Sequence, residues 1–233
     1  MPLTLPLAAI RNNNMRSEKE IIDIIINVAN NDEKIRAVLM TGSRANPNIE
    51  RDIFQDYDIV YFVTDIHPYI NNINWIRQYG ELLISQMPED MQDPPPINDG
   101  SYTYLMLFKD GNRIDLTIHP LANIDMYKDV SLCIPLIDKD GLFPKAINDS
   151  DKIYHIKRPT VRMYMDCCNE YWWVCTNVAK GLWREELTYS KYMLNIVREQ
   201  LMKMISWYIG INTKYEVNLG KAGKYIKKYI SSE

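Results

Sequence analysis

The chain of 233 residues has a formal net charge of −3, with 46% hydrophobic and 24% charged side chains. These values are typical of a soluble globular protein with one large or two small domains. The acidic balance disfavours nucleic acid as a partner, because proteins that bind duplexes normally carry a basic surface, and no apolar run approaches the roughly 18 residues of a membrane span.

The predicted fold begins after a short leader. Residues 1–14 contain proline and have no basic residue before their apolar part, so they make a poor signal peptide. We expect them to be an added or alternative-start leader, disordered or non-native, outside the fold. Residues 17–30 are predicted to form a helix, because Ser17 and Glu20 have capping-box spacing and isoleucines follow at helical intervals.

Strands dominate the next hundred residues. Residues 35–40 form a short apolar run that leads into a small-residue turn, and residues 58–63 form a second run rich in β-branched and aromatic side chains. The other predicted elements are a short helix at 73–79, a strand at 82–84, a hairpin at 102–108 and 113–118, and a last strand at 133–137. An Asp-Gly pair in the hairpin supplies the positive φ that a tight turn needs.

The pattern then changes to long helical segments. The predicted helices span residues 160–180, which Gly181 closes, 185–209 and 221–230. The sequence therefore predicts an α+β protein. A mixed β-sheet domain with flanking helices occupies residues 15–150, and an all-helical domain occupies residues 151–233.

The most informative pattern joins the turn after the first strand to two carboxylates. Gly42 and Ser43 let backbone amides and a hydroxyl approach phosphate oxygens closely, and Arg44 can add charge-assisted contacts. Alternate residues of a strand point to one face, so Asp56 and Asp58 can bind one divalent cation together. This combination predicts metal-dependent nucleotidyl transfer.

A third carboxylate is predicted in the hairpin. Asp115 lies in mid-strand among apolar neighbours, where a lone charge would be costly unless it is paired or bound to a metal. Beside Asp56 and Asp58 it would complete a set of three carboxylates that bind Mg²⁺. The metal would orient a nucleoside triphosphate for in-line attack on its α-phosphorus. The alternative is an ion pair between Asp115 and either Arg113 or Lys109.

Several stretches resemble known nucleotidyltransferases. Those that resemble the signature of the DNA polymerase β superfamily are LMTGSR (39–44), FQDYDI (54–59) and IDL (114–116). Further stretches are similar to bacterial streptomycin-type aminoglycoside 6-adenylyltransferases, namely MRSE (15–18), IKRPT (156–160), DCCNE (166–170) and VAKGL (178–182). The resemblance runs from about Met15 to the end of the chain.

The resemblance implies a reaction and a set of roles. It implies ATP-dependent transfer of AMP to a hydroxyl of streptomycin or a related aminoglycoside, which releases pyrophosphate and inactivates the drug. The family roles carry over to Ser43 for phosphate, and to Asp56, Asp58 and Asp115 for Mg²⁺. Members of this family generally continue with more helix, so we expect the helical domain to be truncated at Glu233.

The helical half carries the candidates for substrate binding. Five side chains share one face of the helix predicted at 160–180, namely Asp166, Glu170, Trp173, Asn177 and Lys180. The carboxylates and the tryptophan suit a guanidinium-bearing aminocyclitol at the mouth of a cleft between the domains. The alternative is a solvated or interdomain face on which Arg162, Asp166 and Glu170 are merely adjacent. The candidate general base is Glu170 or Asp166, with Asp115 as the next choice.

Lysines near the end of the chain are the remaining candidates for nucleotide binding. Lys221, Lys224 and Lys228 would share one face of the helix predicted at 221–230, and with Lys180 they are candidates to contact the nucleotide phosphates. The alternative is a solvated basic surface, which is the usual role of such a run.

Two rival functions are also compatible with these motifs. The first is a nucleotidyltransferase for another small-molecule drug, such as a lincosamide, with the same metal chemistry. The second is a catalytically inert nucleotide-binding remnant.

The four cysteines form no C-x-x-C pair and predict reduced thiols in a cytoplasmic protein. The oligomeric state has no signal in the sequence.

Overall fold

A computed structural model gives the fold of the chain and describes residues 15–128, 132–143 and 150–230. The chain forms two compact units that divide between Ser150 and Asp151. The first contains a mixed six-stranded sheet with flanking helices and the second is helical, which confirms the predicted α+β class. The predicted leader lies outside the described residues. No helix in the described ranges is long and apolar enough to cross a membrane.

All six predicted strands are confirmed, with small changes at their ends. The strands are β1 (Ile35–Thr41), β2 (Tyr57–Val63), β3 (Leu82–Gln86), β4 (Tyr102–Phe108), β5 (Arg113–Pro120) and β6 (Ile134–Asp138). They lie in the order β3-β4-β5-β2-β1-β6, and β2 and β5 form the one parallel pair among them. This central pair brings together two segments that are far apart in the sequence.

The helices of the first unit include one long helix and three short ones. They are α1 (Glu18–Asn30), α2 (Gly42–Ala45), α3 (Ile73–Ile76) and α4 (Asp125–Lys128). The predicted capping box of α1 is confirmed, because the Ser17 side chain accepts from the Glu20 amide and the Glu20 carboxylate accepts from the Ser17 amide. The helix predicted at 73–79 consists of α3 followed by a 3-10 turn over Arg77–Tyr79.

Tyrosines form much of the core that α1 covers on one face of the sheet. Tyr61 and Tyr79 are fully buried, and their hydroxyls are 3.1 Å apart. The Tyr61 hydroxyl also donates to the carbonyl of Ile25 on α1, at 2.7 Å. Each buried hydroxyl thus has a partner, which removes most of the cost of burying it. These tyrosines therefore belong to the core rather than to a ligand cleft.

A network ties the segment before α1 to the β4–β5 hairpin. Arg16 Nε lies 2.6 Å from Asp110 Oδ2, and its guanidinium lies 4.9 Å from the centre of the Phe108 ring. Asn112 Nδ2 donates to Asp110 and to the Arg16 carbonyl. Burial raises the pKa of Asp110, but the hydrogen bonds from Arg16 and Asn112 outweigh it and hold the pKa well below its ordinary value.

Asp110→Asn is expected to lower the free energy of unfolding at pH 7 by about 2 kcal/mol, because it removes a charge-assisted network from a largely buried site. Because the pKa of Asp110 is lower in the folded state, its ionised carboxylate stabilises the protein above the unfolded-state pKa of 3.8. This stabilisation is lost progressively as the pH falls from 3.8 towards the folded-state pKa. The difference between wild type and variant should therefore shrink below about pH 4 in urea unfolding. Asp23→Asn, in an exposed pair with Lys19, should change stability little at either pH.

The second unit is built on two long helices, α5 (Val161–Trp183) and α6 (Leu187–Asn212). The prediction that Gly181 closes the first of them is wrong, because α5 continues through it. A Cβ at Gly181 would lie 2.3 Å from Ser190 Oγ. The glycine therefore lets the end of α5 pack closely against the start of α6.

The third predicted helix, at 221–230, is also wrong. The segment contains only 3-10 turns, over Lys221–Gly223 and Ile226–Lys228. Backbone φ values of 71° at Gly220, 54° at Ala222 and 74° at Gly223 interrupt any α-helix there. Its lysines consequently do not share an α-helical face.

Candidate active site

Parallel pairing of β2 with β5 places two of the predicted carboxylates side by side. Asp58 is the register partner of Asp115, on adjacent strands. In β5 burial alternates, so that Asp115 is partly exposed while Ile114 and Leu116 are buried. Asp56 lies just before β2 and is separated from Asp58 by the buried Tyr57. The structure thus brings the predicted carboxylates to one end of the central strand pair.

Arg113 holds two of these carboxylates. Its Nε and Nη2 donate to the two oxygens of Asp115 at 2.8 and 2.7 Å, and its Nη1 lies 3.7 Å from Asp56 Oδ2. The ion pair foreseen as the alternative for Asp115 is therefore formed with Arg113, whereas Lys109 pairs with Glu81. Within the described residues, no group of three His, Cys, Asp or Glu side chains is arranged as a metal centre.

Gly42 forms a tight contact with Asp58. The predicted turn is the short helix α2, which begins at Gly42 with φ +68°, a value that favours glycine. A Cβ at this position would lie 1.9 Å from Asp58 Oδ2. Thr41, directly before it, is the register partner of Asp58. The absence of a side chain at Gly42 therefore makes room for the Asp58 carboxylate.

This end of the sheet fits Mg²⁺ by its donor chemistry. Carboxylate oxygens are the ligands that Mg²⁺ prefers, Asp58 and Asp115 lie in register, and Gly42 leaves space beside Asp58 that a Cβ would fill. A cation at Asp115 would have to take the place of the Arg113 guanidinium, which occupies both carboxylate oxygens.

Arg44 makes its contacts with the chain itself, and the predicted phosphate contact stays a prediction. It is 6% exposed, and its guanidinium donates to the carbonyls of Gln55 and Asp56 and to the Glu18 carboxylate. The guanidinium also lies 3.8 Å from the centre of the Tyr57 ring. Arg44 thus donates mainly to the backbone of the segment that carries Asp56 and stabilises that segment. Sequence reasoning missed Glu18, although it lies in the MRSE stretch.

The other candidates for phosphate contact lie at exposed or half-buried positions. Ser43 is half-buried in α2, and Lys180 is exposed on α5. Lys221 is exposed, and the Lys224 ammonium lies 4.9 Å from the centre of the Tyr225 ring, a cation–π contact. Phosphate binding by these residues stays a prediction.

A pocket in the helical unit is lined by two of the predicted substrate residues. It has a volume of about 350 Å³ and is lined by Met163, Asp166, Cys167 and Glu170 of α5 and by Gln200, Lys203 and Trp207 of α6. Arg162 Nε donates to Asp166 at 2.9 Å, so the ion pair weighed as the alternative is also present. Trp173 is 69% exposed and outside this lining.

The α6 side of the pocket was missed by sequence reasoning. Gln200, Lys203 and Trp207 are spaced by three and four residues within a segment that was predicted to be helical, which places them on one face. That spacing was a usable signal. It does not reveal which helix the face packs against, and only the pairing of α5 with α6 puts these residues opposite Asp166 and Glu170.

Comparisons with known proteins agree with the motifs. The sequence model of the streptomycin adenylyltransferase family matches residues 15–233. Aminoglycoside 6-adenylyltransferases from Campylobacter jejuni and Bacillus subtilis (strain 168) are 46% and 43% identical to the chain. In both cases the alignment covers 94% of this chain, and it covers 76% and 78% of the relatives.

A solved structure also matches. It is the crystal structure of an aminoglycoside 6-adenyltransferase from Bacillus subtilis, with 40% identity, 93% of this chain and 76% of that chain covered, and a TM-score of 0.48. The match of the family model to nearly the whole chain, together with the identity to the curated relatives, confirms the resemblance that the motifs indicated. The chain therefore belongs to the streptomycin adenylyltransferase family and is a nucleotidyltransferase.

Proposed function

We propose that the chain transfers AMP from ATP to a hydroxyl of streptomycin or a related aminoglycoside in the cytoplasm, releases pyrophosphate and so inactivates the drug. The observation that carries the proposal is the register of Asp58 with Asp115 beside Gly42, within a chain of this family. The names of its relatives, aminoglycoside 6-adenylyltransferases, support the substrate class.

In this proposal Asp56, Asp58 and Asp115 hold Mg²⁺, and Ser43 holds a phosphate oxygen of ATP. Bound Mg²⁺ would offset the charge of the triphosphate and orient it. Gly42 leaves room for the Asp58 carboxylate, since a side chain there would collide with it. Arg44 fixes the segment before β2 through the carbonyls of Gln55 and Asp56, so the residues around the carboxylates are held before ATP arrives.

The pocket between α5 and α6 supports a cationic drug as the second substrate. Asp166 and Glu170 present two carboxylates there, and Trp207 adds an aromatic surface. Carboxylates form charge-assisted hydrogen bonds with guanidinium and ammonium groups, and aromatic faces attract the same cations. We propose Glu170 as the acceptor of the proton from the attacking hydroxyl, with Asp166 as the next candidate.

The test is pyrophosphate release with ATP and Mg²⁺ against streptomycin, kanamycin and a lincosamide. We expect release with streptomycin and none with kanamycin. Release with the lincosamide alone would favour the rival drug transferase. If ATP binds but no drug supports release, the chain is an inert nucleotide-binding remnant and the proposal is wrong.

Exchange of the pocket carboxylates should separate drug binding from ATP binding. Asp166→Asn is expected to raise KM for streptomycin by about tenfold, because one charge-assisted hydrogen bond contributes roughly 1.5 kcal/mol or more. KM for ATP should not change. Glu199→Gln, on the exposed surface of α6 and outside the pocket lining, is the matched control. An increase in KM for ATP instead would contradict the assignment of this pocket to the drug.

A further inference from the structure

The positively charged side chain of Arg113 lies among the proposed metal ligands. It grips both oxygens of Asp115 at 2.8 and 2.7 Å and lies 3.7 Å from Asp56. The hydrogen bond to Asp115 raises the pKa of Arg113, and the negative charges of Asp115, Asp56 and Asp58 add to this effect. The guanidinium therefore lies in the field of all three carboxylates.

The geometry around Arg113 favours a side chain that can leave without disturbing the core. Its side chain is 42% exposed, whereas the neighbouring Ile114 is buried and anchors the strand. The backbone of β5 is fixed on both sides, by β2 and by β4. Departure of the guanidinium would thus expose the carboxylate oxygens of Asp115 while the strand that carries them stays in register.

Three carboxylates close together repel one another unless a cation lies between them. A bidentate arginine pair is the strongest form of compensation that the protein itself can offer. A divalent cation bound at Asp115 would need the same two carboxylate oxygens that accept hydrogen bonds from Arg113. Cation binding at Asp115 and the Arg113–Asp115 ion pair therefore exclude each other.

We propose that Arg113 is a positioning residue that acts as a built-in counter-cation. In the metal-free protein it occupies Asp115 and Asp56 and keeps their carboxylates in place, and it gives them up when the divalent cation binds with the nucleotide. The inference rests on the proposed assignment of the three carboxylates to Mg²⁺. Its consequence is that the wild-type protein binds the divalent cation more weakly than its carboxylates alone would.

The experiment is a titration with Mn²⁺, which accepts the same oxygen ligands as Mg²⁺, monitored by the electron paramagnetic resonance of the unbound ion. Arg113→Gln is expected to bind Mn²⁺ about tenfold more tightly than wild type, the size expected for loss of one partly screened charge a few ångströms away. Arg113→Lys keeps the charge but loses the bidentate grip, and should give an affinity between the two. It also supplies the measurement if Arg113→Gln does not fold.

Arg36→Gln is the matched control. Arg36 lies on β1 of the same sheet and forms its own bidentate pair, with Asp140, away from the three carboxylates. Its removal should leave the Mn²⁺ affinity unchanged. A merely structural role for Arg113 would lower or preserve the affinity, so unchanged or weaker Mn²⁺ binding by Arg113→Gln overturns the inference.

Asp58→Asn distinguishes failure of this inference from failure of the metal assignment. Asp58 is a proposed metal ligand, so it should be needed for Mn²⁺ binding in every background. If wild type and Asp58→Asn bind Mn²⁺ alike, the metal assignment fails and the counter-cation role fails with it. If Asp58→Asn loses binding while Arg113→Gln gains none, only the counter-cation role is wrong.

Discussion

Asp58→Asn is expected to lower kcat for adenylyl transfer by about a thousandfold, equivalent to about 4 kcal/mol of transition-state stabilisation. Asp58 lies in register with Asp115 and against Gly42, so it is the carboxylate at the centre of the proposed metal site. An amide keeps the shape of the side chain but loses the negative charge that a divalent cation requires. We therefore expect the chemistry to fail while the fold persists.

The measurement is pyrophosphate release at saturating ATP and drug, with far-UV circular dichroism and thermal unfolding to confirm the fold. Asp56→Asn and Asp115→Asn should show losses of the same order. Asp65→Asn is the matched control, because Asp65 follows the other end of β2 and pairs with Lys34 at the surface. Undiminished turnover by folded Asp58→Asn would refute the assignment of this residue to the metal.

Gly42→Ala should also produce a large loss, about a hundredfold in kcat, from the addition of one methyl group. The new Cβ would meet Asp58 Oδ2 at 1.9 Å, so the carboxylate must move by more than an ångström. A displacement of that size at a reacting centre commonly costs about two orders of magnitude in rate. The positive φ adds a stability cost of about 1 kcal/mol.

Gly141→Ala separates the two effects. Gly141 has φ +66°, nearly the same as Gly42, but a Cβ there meets nothing within 4 Å. Both variants should therefore lose similar stability in urea unfolding, and only Gly42→Ala should lose activity. Equal turnover by the two alanine variants would show that the contact between Gly42 and Asp58 does not matter for catalysis.

The sequence predicted the strands and the three carboxylates because each depends on local pattern. Alternation in β5 identified the face of Asp115, and the Gly-Ser turn predicted where the candidate site begins. The pairing of β2 with β5 lies beyond such reasoning, since the register of two distant strands depends on the order of the whole sheet. Sequence spacing likewise could not show that Arg113, two residues from Asp115, takes both of its oxygens.

Arg44 follows the turn that is predicted to bind phosphate, and its donors meet the carbonyls of Gln55 and Asp56 and the Glu18 carboxylate. A phosphate contact by Arg44 stays a prediction. The two wrong helix predictions have physical causes at particular residues. Gly181 resembles a helix stop, yet a glycine also serves where two helices approach closely. In residues 221–230 the spacing of apolar and basic side chains favoured a helix, but the positive φ values at Gly220, Ala222 and Gly223 are incompatible with one.

The parallel pairing of β2 with β5 has a consequence for the order in which the chain folds. The β4–β5 hairpin is local, and within it Arg113 already neutralises Asp115, two positions away on the same strand. Asp58 joins them only through the pairing of β2 with β5, which are distant in the sequence. Such pairing closes a long loop of chain, and the loop entropy is lost before the contacts form. We therefore expect activity to return during refolding only when the central strands have paired.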